Sequence, residues 1–255
     1  MPKIAVRNSE EIEIMAEAGK RLAKVLSGLK EMVKIGLTTA ELDFVAKRLI
    51  EEAGCTPAFL GYRPGGAEKP YPASICASVN DGVVHGLPSG YELKSGDILK
   101  LDLGLIYKSY YSDMAITIGV GKISKEQQNL ISATREALDM AIAAAKPGNT
   151  LGDIGYAVQS HVRANGFSVV HDLTGHGIGK KLHEDPYVFN VGRPGEGERL
   201  EPGMVLALEP MVAMGKGRVR QLADDSFVTA DGSMAAHFEH TVAITADGPR
   251  ILTRL

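Results

Sequence analysis

Tryptophan is absent from this 255-residue chain, and cysteine occurs only twice, at Cys55 and Cys76. Two cysteines cannot form the dense disulfide framework of a small secreted protein, which favours a reducing, cytoplasmic location. No apolar run approaches the roughly 18 residues of a membrane-spanning helix, and the charged start MPKIAVRNSEEIEIM is not typical of a secretory signal. The formal net charge is only −3. The composition therefore gives no indication of a membrane or a specific nucleic acid as partner.

What the chain does contain is a repeated pattern. The segment GLTTAELDFVAKRLIEEAG begins at Gly36, and the similar segment GNTLGDIGYAVQSHVRANG begins at Gly148. Each is typical of an amphipathic helix, with a threonine near its start, an acid three residues later and a glycine at its end. Each follows another helical stretch, in which we expect Ser9 and Ser124 to be the N-caps. After each helix pair, a glycine precedes a strand acid by six residues.

The order of these features predicts two related halves, at about 9–120 and 124–248. Both halves have helices followed by strands, and the acid-bearing strands fall at corresponding positions. No low-complexity linker separates the halves. Glycine and proline are concentrated at short turns instead. We therefore expect a single domain spanning 1–255, with one site between its halves.

Four carboxylates lie on apolar segments that are predicted to be β-strands. In each segment the bulky apolar side chains alternate with smaller ones, so each acid faces away from the bulky side chains. Four acids buried together are strongly unfavourable unless cations neutralise them. The pattern predicts a metal site, with more than one ion, formed by Asp102, Asp113, Glu209 and Glu239.

The glycine-flanked His176, in TGHGIG, is the expected nitrogen ligand of this site. One imidazole with four carboxylates suits manganese, iron, cobalt or zinc. Five such residues can hold two ions about 3.5–4 Å apart where carboxylates bridge. A histidine between glycines is also typical of a turn or a core, so the residue type alone leaves this open. A phosphate-binding role for GHGIGK is disfavoured because the Lys-Ser/Thr end of a P-loop is missing.

Two further histidines are of interest because of their positions. His85 lies in SVNDGVVHGLP, and His183 follows His176 by seven residues. Taken alone, each is typical of a surface or structural position. Beside a metal centre, each becomes a candidate for proton transfer and for polarising a bound substrate. We expect the other four histidines to be structural, although His237 shares a strand face with Glu239; the four are His161, His171, His237 and His240.

Six motifs, in this order and spacing, closely resemble the type I methionine aminopeptidases: SVNDGVVHGLP, GDILKLDLG, YYSDMAITIGVG, GHGIGKKLHEDP, LALEPM and FEHT. The resemblance covers about 12–245. It implies an α/β (α+β) pita-bread fold with pseudo-two-fold symmetry, whose antiparallel sheet carries helices on its outer face and a dinuclear metal site on its inner face. It also implies a cytoplasmic enzyme that removes the initiator methionine from nascent proteins when the second residue is small and uncharged.

The resemblance further implies a role for individual residues. Two divalent ions, of cobalt, manganese, iron, zinc or nickel, are held by Asp102, Asp113, His176, Glu209 and Glu239. Among these ligands, Asp113 and Glu239 bridge the ions and Glu209 is the general base. His85 and His183 contact the substrate. The methionine pocket is lined by Phe59, Tyr62, Tyr71, Cys76 and Leu182.

Three features depart from the pattern of this family. The segment RPGGAEKP, at 63–70, is longer than the corresponding loop in many relatives. Asp225 stands where some bacterial members carry tryptophan, and His237 stands where glutamine is common. These departures concern the substrate lining and the surroundings of the metal site, so the metal set itself is intact.

Two alternative functions remain open. Proline-directed enzymes, aminopeptidase P and prolidase, share the fold and metal set, although they usually carry a large additional N-terminal domain. A non-catalytic peptide-binding relative could keep the fold, but such a descendant is expected to lose metal ligands first. For the main interpretation, we expect nascent N-termini as partners and a monomer, and a transient contact with the ribosome stays open.

Overall fold

The computed structural model describes residues 4–63 and 69–255, and these contain four helices and fifteen strands. Residues 64–68, within the segment noted above as longer than usual, lie outside the described residues. The helices are α1 (Ser9–Met32), α2 (Thr39–Glu52), α3 (Lys125–Ala144) and α4 (Leu151–Ala164). The strands are β1 (Thr56–Pro57), β2 (Cys76–Val79), β3 (Gly82–Val84), β4 (Ile98–Tyr107), β5 (Tyr110–Gly119), β6 (Ser168–Val169), β7 (Thr174–Gly177), β8 (Glu184–Phe189), β9 (Val205–Leu208), β10 (Met211–Ala213), β11 (Val219–Gln221), β12 (Phe227–Thr229), β13 (Ala235–His237), β14 (Glu239–Thr245) and β15 (Gly248–Ile251).

A nine-stranded antiparallel sheet takes strands from both halves of the sequence. Its order is β1-β4-β5-β14-β9-β7-β8, with β15 added to β14 and β2 added to β4. The halves meet where β5 pairs with β14, with Ala115 opposite Glu239. Two three-stranded sheets, β13-β10-β6 and β11-β12-β3, flank it. The predicted antiparallel sheet is confirmed.

The helices cover one face of this sheet, which we call the outer face. On β4 the alternate leucines predicted to share a face are fully buried against α1 and α2; they are Leu99, Leu101, Leu103 and Leu105. In the second half, α3 and α4 pack in the same way on β9 and β14. Burying a leucine side chain contributes about 1.5–3 kcal/mol, so this apolar face fixes the register of each strand. Asp102 and Gly104 consequently face the inner side.

The helix starts confirm the predicted repeat in three cases and correct it in one. Reciprocal capping boxes occur at Thr38, Thr150 and Ser124, each closed by the side chain three residues later. The expectation that Ser9 caps α1 is wrong. The cap is Asn8, whose side chain accepts the backbone N–H of Glu11. Asparagine is as good a cap as serine, and the acid that closes the box lies three residues after position 8.

The glycines before the acid-bearing strands occupy equivalent turns in the two halves. Gly96 has φ 99° and Gly203 has φ 98°, a region that favours glycine. The Gly96 N–H donates to the carbonyl of Val120, and the Gly203 N–H donates to that of Ile244. The turns therefore match in their hydrogen bonds as well as in sequence, which confirms the pseudo-two-fold repeat.

No helix in the described part of the chain is long and apolar enough to cross a membrane. Both cysteines are free and buried.

Candidate metal centre

The inner face of the large sheet brings the four predicted carboxylates together. Asp102 lies on β4, Asp113 on β5, and Glu239 is the first residue of β14. Glu209 was predicted on a strand but lies one residue beyond β9. The reason is Pro210, which has no N–H to donate to a neighbouring strand and so ends the pairing.

Three of these acids, together with two histidines, form two overlapping groups of ligand atoms, and Asp102 belongs to neither group. Asp113, His176 and Glu239 bring ligand atoms within 4.8 Å of one another, and so do Glu209, His237 and Glu239. Glu239 belongs to both groups. The Nε2 atom of His176 lies 3.6 Å from Oε1 of Glu209, which links the groups a second time. Two adjacent ion positions that share a carboxylate are the arrangement this geometry can support.

Burial and mutual repulsion raise the proton affinity of these acids. Burial raises the pKa of Asp113 to about 7. Burial, followed by the charge of Asp113, raises the pKa values of Asp102, Glu209 and Glu239 well above their ordinary range. Such a cluster is stable in ionised form only when positive charge lies among its members.

Two oxygens of the cluster have no protein partner. Oδ1 of Asp102 and Oε1 of Glu239 are buried and accept no hydrogen bond from the described residues. Buried polar atoms are almost always satisfied, so an unsatisfied pair of oxygens in one cluster calls for a further donor or cation. The chemistry of the donor set, carboxylates with an imidazole, fits divalent transition metals.

The His176 imidazole is held in the form that can bind a metal through Nε2. Its Nδ1 lies 2.8 Å from the carbonyl oxygen of Gly177, which can only accept, so Nδ1 carries the proton. Burial lowers the pKa of His176 to about 4, which leaves Nε2 unprotonated at neutral pH. A Cβ at Gly175 would lie 2.3 Å from the Ala207 carbonyl, and one at Gly177 would lie 2.2 Å from the Asp185 carbonyl. The flanking glycines therefore allow the strand to approach its neighbours closely.

Two threonine hydroxyls hold the backbone where β5 meets the second half. The Thr241 hydroxyl accepts the Asp113 N–H at 3.0 Å and donates to the Asp113 carbonyl at 2.8 Å. In the same way, the Thr117 hydroxyl accepts the His237 N–H at 2.9 Å and donates to the His237 carbonyl at 2.7 Å. Each hydroxyl thus replaces a pair of strand–strand hydrogen bonds beside the carboxylate cluster.

Replacing Thr241 with valine is expected to lower the free energy of unfolding by roughly 1–3 kcal/mol, because a buried N–H and a buried carbonyl of Asp113 lose their partner. Urea denaturation of the metal-free protein measures this effect. The control is Thr245→Val, which removes only a donation to the carbonyl of Gly248 at the end of β14. Equal stability of the two variants would contradict the role assigned to Thr241.

His183 lies beside His176 and a tyrosine. Its ring meets that of His176 edge to face, with centroids 4.4 Å apart. Its Nδ1 lies 2.7 Å from the hydroxyl oxygen of Tyr62. Burial, followed by the nearby rings of His176 and His85, lowers the pKa of His183 to about 3. The imidazole is therefore neutral, with one donor nitrogen and one acceptor nitrogen.

The predicted pocket residues form one apolar cluster next to the carboxylates. Phe59, Cys76 and Leu182 are buried in it, and Tyr62 and Tyr71 are partly buried against it. Cys76 lies directly opposite Asp102 where β2 pairs with β4. Burial raises the pKa of the Cys76 thiol well above its ordinary value, so the group stays neutral. A neutral sulfur and aromatic rings suit an apolar, polarisable side chain.

His85 lies beside one of the positions that depart from the family pattern. It has φ 59°, in the left-handed region where few non-glycine residues are found. Its ring packs edge to face on that of Phe227, with the centroids 5.7 Å apart. Burial lowers the pKa of His85. The charge of Asp225 raises the pKa of His85 and partly offsets the effect of burial.

Sequence reasoning missed the position of His237, which was expected to be structural. Its Nε2 lies 3.3 Å from Oε2 of Glu209. The other histidines expected to be structural have partners outside the site: His161 lies 3.3 Å from a Glu136 oxygen, and His240 Nδ1 lies 2.8 Å from the Thr253 hydroxyl. His171 is exposed.

The stabilisation that a divalent ion gives is expected to increase from pH 6 to pH 8. An acid whose folded pKa is raised stabilises the fold below its unfolded pKa and loses that contribution as pH rises through the folded pKa. For Asp113 this range runs from 3.8 to about 7. A metal ion and a proton compete for the carboxylate, so proton competition weakens the binding of the ion less at pH 8 than at pH 6. His176 is already neutral at pH 6 and does not contribute to the trend.

The measurement is the shift in melting temperature produced by Co²⁺ at a fixed free concentration and at pH 6, 7 and 8. A shift that stays constant or falls with pH would contradict the carboxylates as ion ligands.

Both the sequence and the structure match known metallopeptidases. Residues 13–246 match the family model of metallopeptidase family M24. A methionine aminopeptidase of Clostridium perfringens is 51% identical over 251 residues, 98% of each chain. The crystal structure of methionine aminopeptidase from Rickettsia prowazekii matches with a TM-score of 0.95 at 36% identity, covering 99% of this chain and 100% of that one. Prolidase from Pyrococcus furiosus matches with a TM-score of 0.76 at 25% identity, covering 98% of this chain and 65% of that one.

Proposed function

Because the chain belongs to metallopeptidase family M24 and, within it, to the methionine aminopeptidases, we propose that it removes the initiator methionine from nascent proteins. The second residue of these proteins is small and uncharged. The observation that carries the proposal is the position of the carboxylate and imidazole cluster, which lies next to a neutral, sulfur-containing cluster of apolar side chains. The carboxylates and the imidazole can supply ligands for metal ions, and the chemistry of the apolar side chains suits contact with methionine.

We assign five ligands to two divalent ions of cobalt, manganese, iron, zinc or nickel; they are Asp102, Asp113, His176, Glu209 and Glu239. When bound, the ions supply Lewis acidity, which lowers the pKa of a water and polarises the scissile carbonyl. A ligand atom of Glu239 lies within 4.8 Å of those of Asp113 and His176 and also of that of Glu209, so Glu239 would be within reach of both ions. Asp113 lies on the strand paired with β14 and would share this role.

Glu209 is the proposed general base. Its side chain is 12% exposed, so it can reach a substrate, and burial raises its pKa, so it can keep a proton between two steps. It takes the proton of the attacking water and delivers it towards the amine of the departing chain. The Asn190 side chain donates to its backbone carbonyl at 3.0 Å and fixes the turn that carries it.

His183 donates a hydrogen bond to the scissile carbonyl oxygen as negative charge develops there. This role requires a proton on Nε2 and an acceptor at Nδ1. The Tyr62 hydroxyl, 2.7 Å from Nδ1, can donate to that atom and select this tautomer. His85 contacts the amide nitrogen of the departing chain and orients it.

Methionine is selected by the pocket formed by Phe59, Tyr62, Tyr71, Cys76 and Leu182. The rings of Phe59 and Tyr71 meet edge to face with centroids 6.4 Å apart, and the Tyr71 hydroxyl is fixed by donation to the Ile75 carbonyl at 3.0 Å. A thioether gains from contact with such ring edges. These contacts fix the positions of the rings, and the apolar cluster around them would favour an uncharged side chain.

The proposal extends to the form of the protein in the cell. The halves at about 9–120 and 124–248 act as one catalytic domain, because the site takes ligands from both. The protein works as a monomer in the cytoplasm on the N-termini of nascent chains, without a specific nucleic acid or a membrane as partner. The free cysteines agree with a reducing compartment. A transient contact with the ribosome would place the site near its substrate.

Peptide hydrolysis by the Co²⁺-loaded protein tests this function. We expect methionine release from Met-Gly-Met-Met and Met-Ala-Ser, and roughly 10–200-fold lower kcat/KM for Met-Phe-Ser, because the proposed enzyme requires a small second residue. Release of alanine from Ala-Pro peptides without release of methionine would instead show a proline-directed enzyme. Tight metal binding without hydrolysis of any of these peptides would show a binding protein.

A further inference from the structure

His237 is a buried imidazole that lacks the hydrogen bonds such a group normally makes. Its side chain is 1% exposed. Neither Nδ1 nor Nε2 has a hydrogen-bond partner among the described residues. Buried polar atoms rarely stay unsatisfied, so an imidazole in this state indicates a function for one of its nitrogens. Its Nε2 lies 3.3 Å from Oε2 of the Glu209 carboxylate.

The two oxygens of Glu209 face different imidazoles. Oε1 lies 3.6 Å from Nε2 of His176, and Oε2 lies 3.3 Å from Nε2 of His237. His176 must offer an unprotonated Nε2, because its proton is on the side of the Gly177 carbonyl. Two ligands of one ion at about 2.0–2.2 Å each are separated by distances of this order, so Oε1 is the oxygen suited to bind beside His176. Oε2 then remains free to accept a proton donor.

The backbone of His237 is held by the same kind of hydrogen-bond pair as the backbone of Asp113, a proposed ligand. Thr117 fixes both backbone polar groups of His237, as Thr241 fixes both of Asp113. Both pairs lie at the junction of the two halves. The position of the His237 ring is therefore set by the main chain, independently of Glu209.

We propose that His237 donates a hydrogen bond from Nε2 to Oε2 of Glu209 and thereby holds this carboxylate in the orientation that serves as ligand and base. This inference rests on the proposed function. It makes His237 a positioning residue, since it acts through Glu209 and not on the substrate. Hydrogen bonds that orient a metal ligand commonly change metal affinity or activity 10–100-fold.

Two substitutions distinguish a hydrogen bond donated by His237 from a role of its ring in packing. His237→Leu removes the donor and keeps the bulk, whereas His237→Gln keeps an N–H donor. Isothermal titration of Co²⁺ into the metal-free proteins should show one of two sites weakened roughly 10–100-fold in His237→Leu. His237→Gln should stay within about fivefold of the unsubstituted protein, since a hydrogen bond to the carboxylate is kept. The control is His171→Leu, at an exposed position, which should bind Co²⁺ unchanged.

The kinetic result should follow the same pattern. For Met-Ala-Ser, His237→Leu is expected to lower kcat about 10–100-fold, with KM changed less than about threefold, because the substrate contacts are intact. In a Glu209→Gln background, His237→Leu should add less than about threefold to the loss of Co²⁺ affinity, since the two residues act as a unit. An undiminished effect in that background would overturn the proposal.

A measurement on the unsubstituted protein tests the hydrogen bond itself. Long-range ¹H–¹⁵N spectra of the Zn²⁺-loaded protein, with the His237 signals assigned from their loss in His237→Gln, should show the proton on Nε2. A proton on Nδ1 would overturn the proposal, even if His237→Leu fails to fold. Wild-type Co²⁺ affinity in His237→Leu would overturn it as well. So would a His237→Gln variant as weak as His237→Leu, because the imidazole would then be a ligand itself.

These outcomes are separate from the failure of the proposed function. If the unsubstituted protein binds Co²⁺ and releases no methionine, the proposed function fails. The cobalt titration and the tautomer spectrum then still decide the role of His237.

Discussion

Replacing Glu209 with glutamine is expected to lower kcat for methionine release by at least about 10³-fold while the protein stays folded. Two losses combine in this variant. The amide cannot take the proton of the attacking water, a function typically worth 10²–10⁴-fold. It is also a weaker ligand than a carboxylate beside His176, from which Oε1 is separated by 3.6 Å. The fold should tolerate the change, because glutamine has the same shape and the substitution removes one of four repelling buried charges.

The measurement is steady-state hydrolysis of Met-Ala-Ser at saturating Co²⁺, with a thermal melt of the same sample. The matched control is Glu201→Gln, an exposed acid before β9, which should retain full activity. A kcat for Glu209→Gln within tenfold of the unsubstituted protein would rule out Glu209 as the base.

Removing bound metal is expected to abolish hydrolysis and to lower the melting temperature. The proposed site supplies no substitute for the ions, because the carboxylates then face one another with Oδ1 of Asp102 and Oε1 of Glu239 unsatisfied. An ion at 1,000 times its dissociation constant stabilises the folded state by about 4 kcal/mol. The loss of this stabilisation should appear directly in the melt.

Dialysis against a chelator, followed by addition of one ion at a time under reducing, anaerobic conditions, measures both effects. Cobalt, manganese, iron, zinc and nickel should each restore the melting temperature, and at least one should restore hydrolysis. The control is magnesium, which prefers oxygen ligands and retains its waters, and should restore little. Full activity of the chelated protein, with no metal detected by mass spectrometry, would contradict a metal-dependent mechanism.

Strand alternation is sufficient to predict which acids of this protein face inward. On β4 the four leucines occupy every second position, so Asp102 has to face the opposite side wherever the leucines are buried. The helix caps are also predictable from the sequence, because a capping box depends on residues only three positions apart. Even there, Asn8 and Ser9 compete for one cap, and only the backbone geometry decides between them.

Contacts between distant residues are what the sequence does not reveal. Thr241 shares a strand face with Glu239, which alternation predicts, but its bonds to Asp113 depend on how β14 lies beside β5. The contact between Tyr62 and His183 likewise joins residues 121 positions apart. Comparison with the family pattern marks His237 as unusual, but only the structure places its ring beside Glu209.

Lys100 is a further case of this kind. On β4 it lies on the same face as Asp102, and alternation gives no sign that its ammonium group is fully buried. In the structure it donates to the Asn80 carbonyl at 2.7 Å, and burial lowers its pKa to about 7. The sequence does not predict this contact, because it joins residues 20 positions apart and Asn80 has φ 54°, a left-handed conformation that is uncommon outside glycine.

Anomalous X-ray scattering from crystals of the Co²⁺-loaded protein would locate the bound ions. We expect two cobalt peaks about 3.5–4 Å apart on the inner face of the sheet, with Asp113 and Glu239 touching both. Asp102 should touch one cobalt, and His176 and Glu209 the other. Fully loaded crystals with cobalt elsewhere, or with these side chains turned away from it, would rule out the proposed two-ion site.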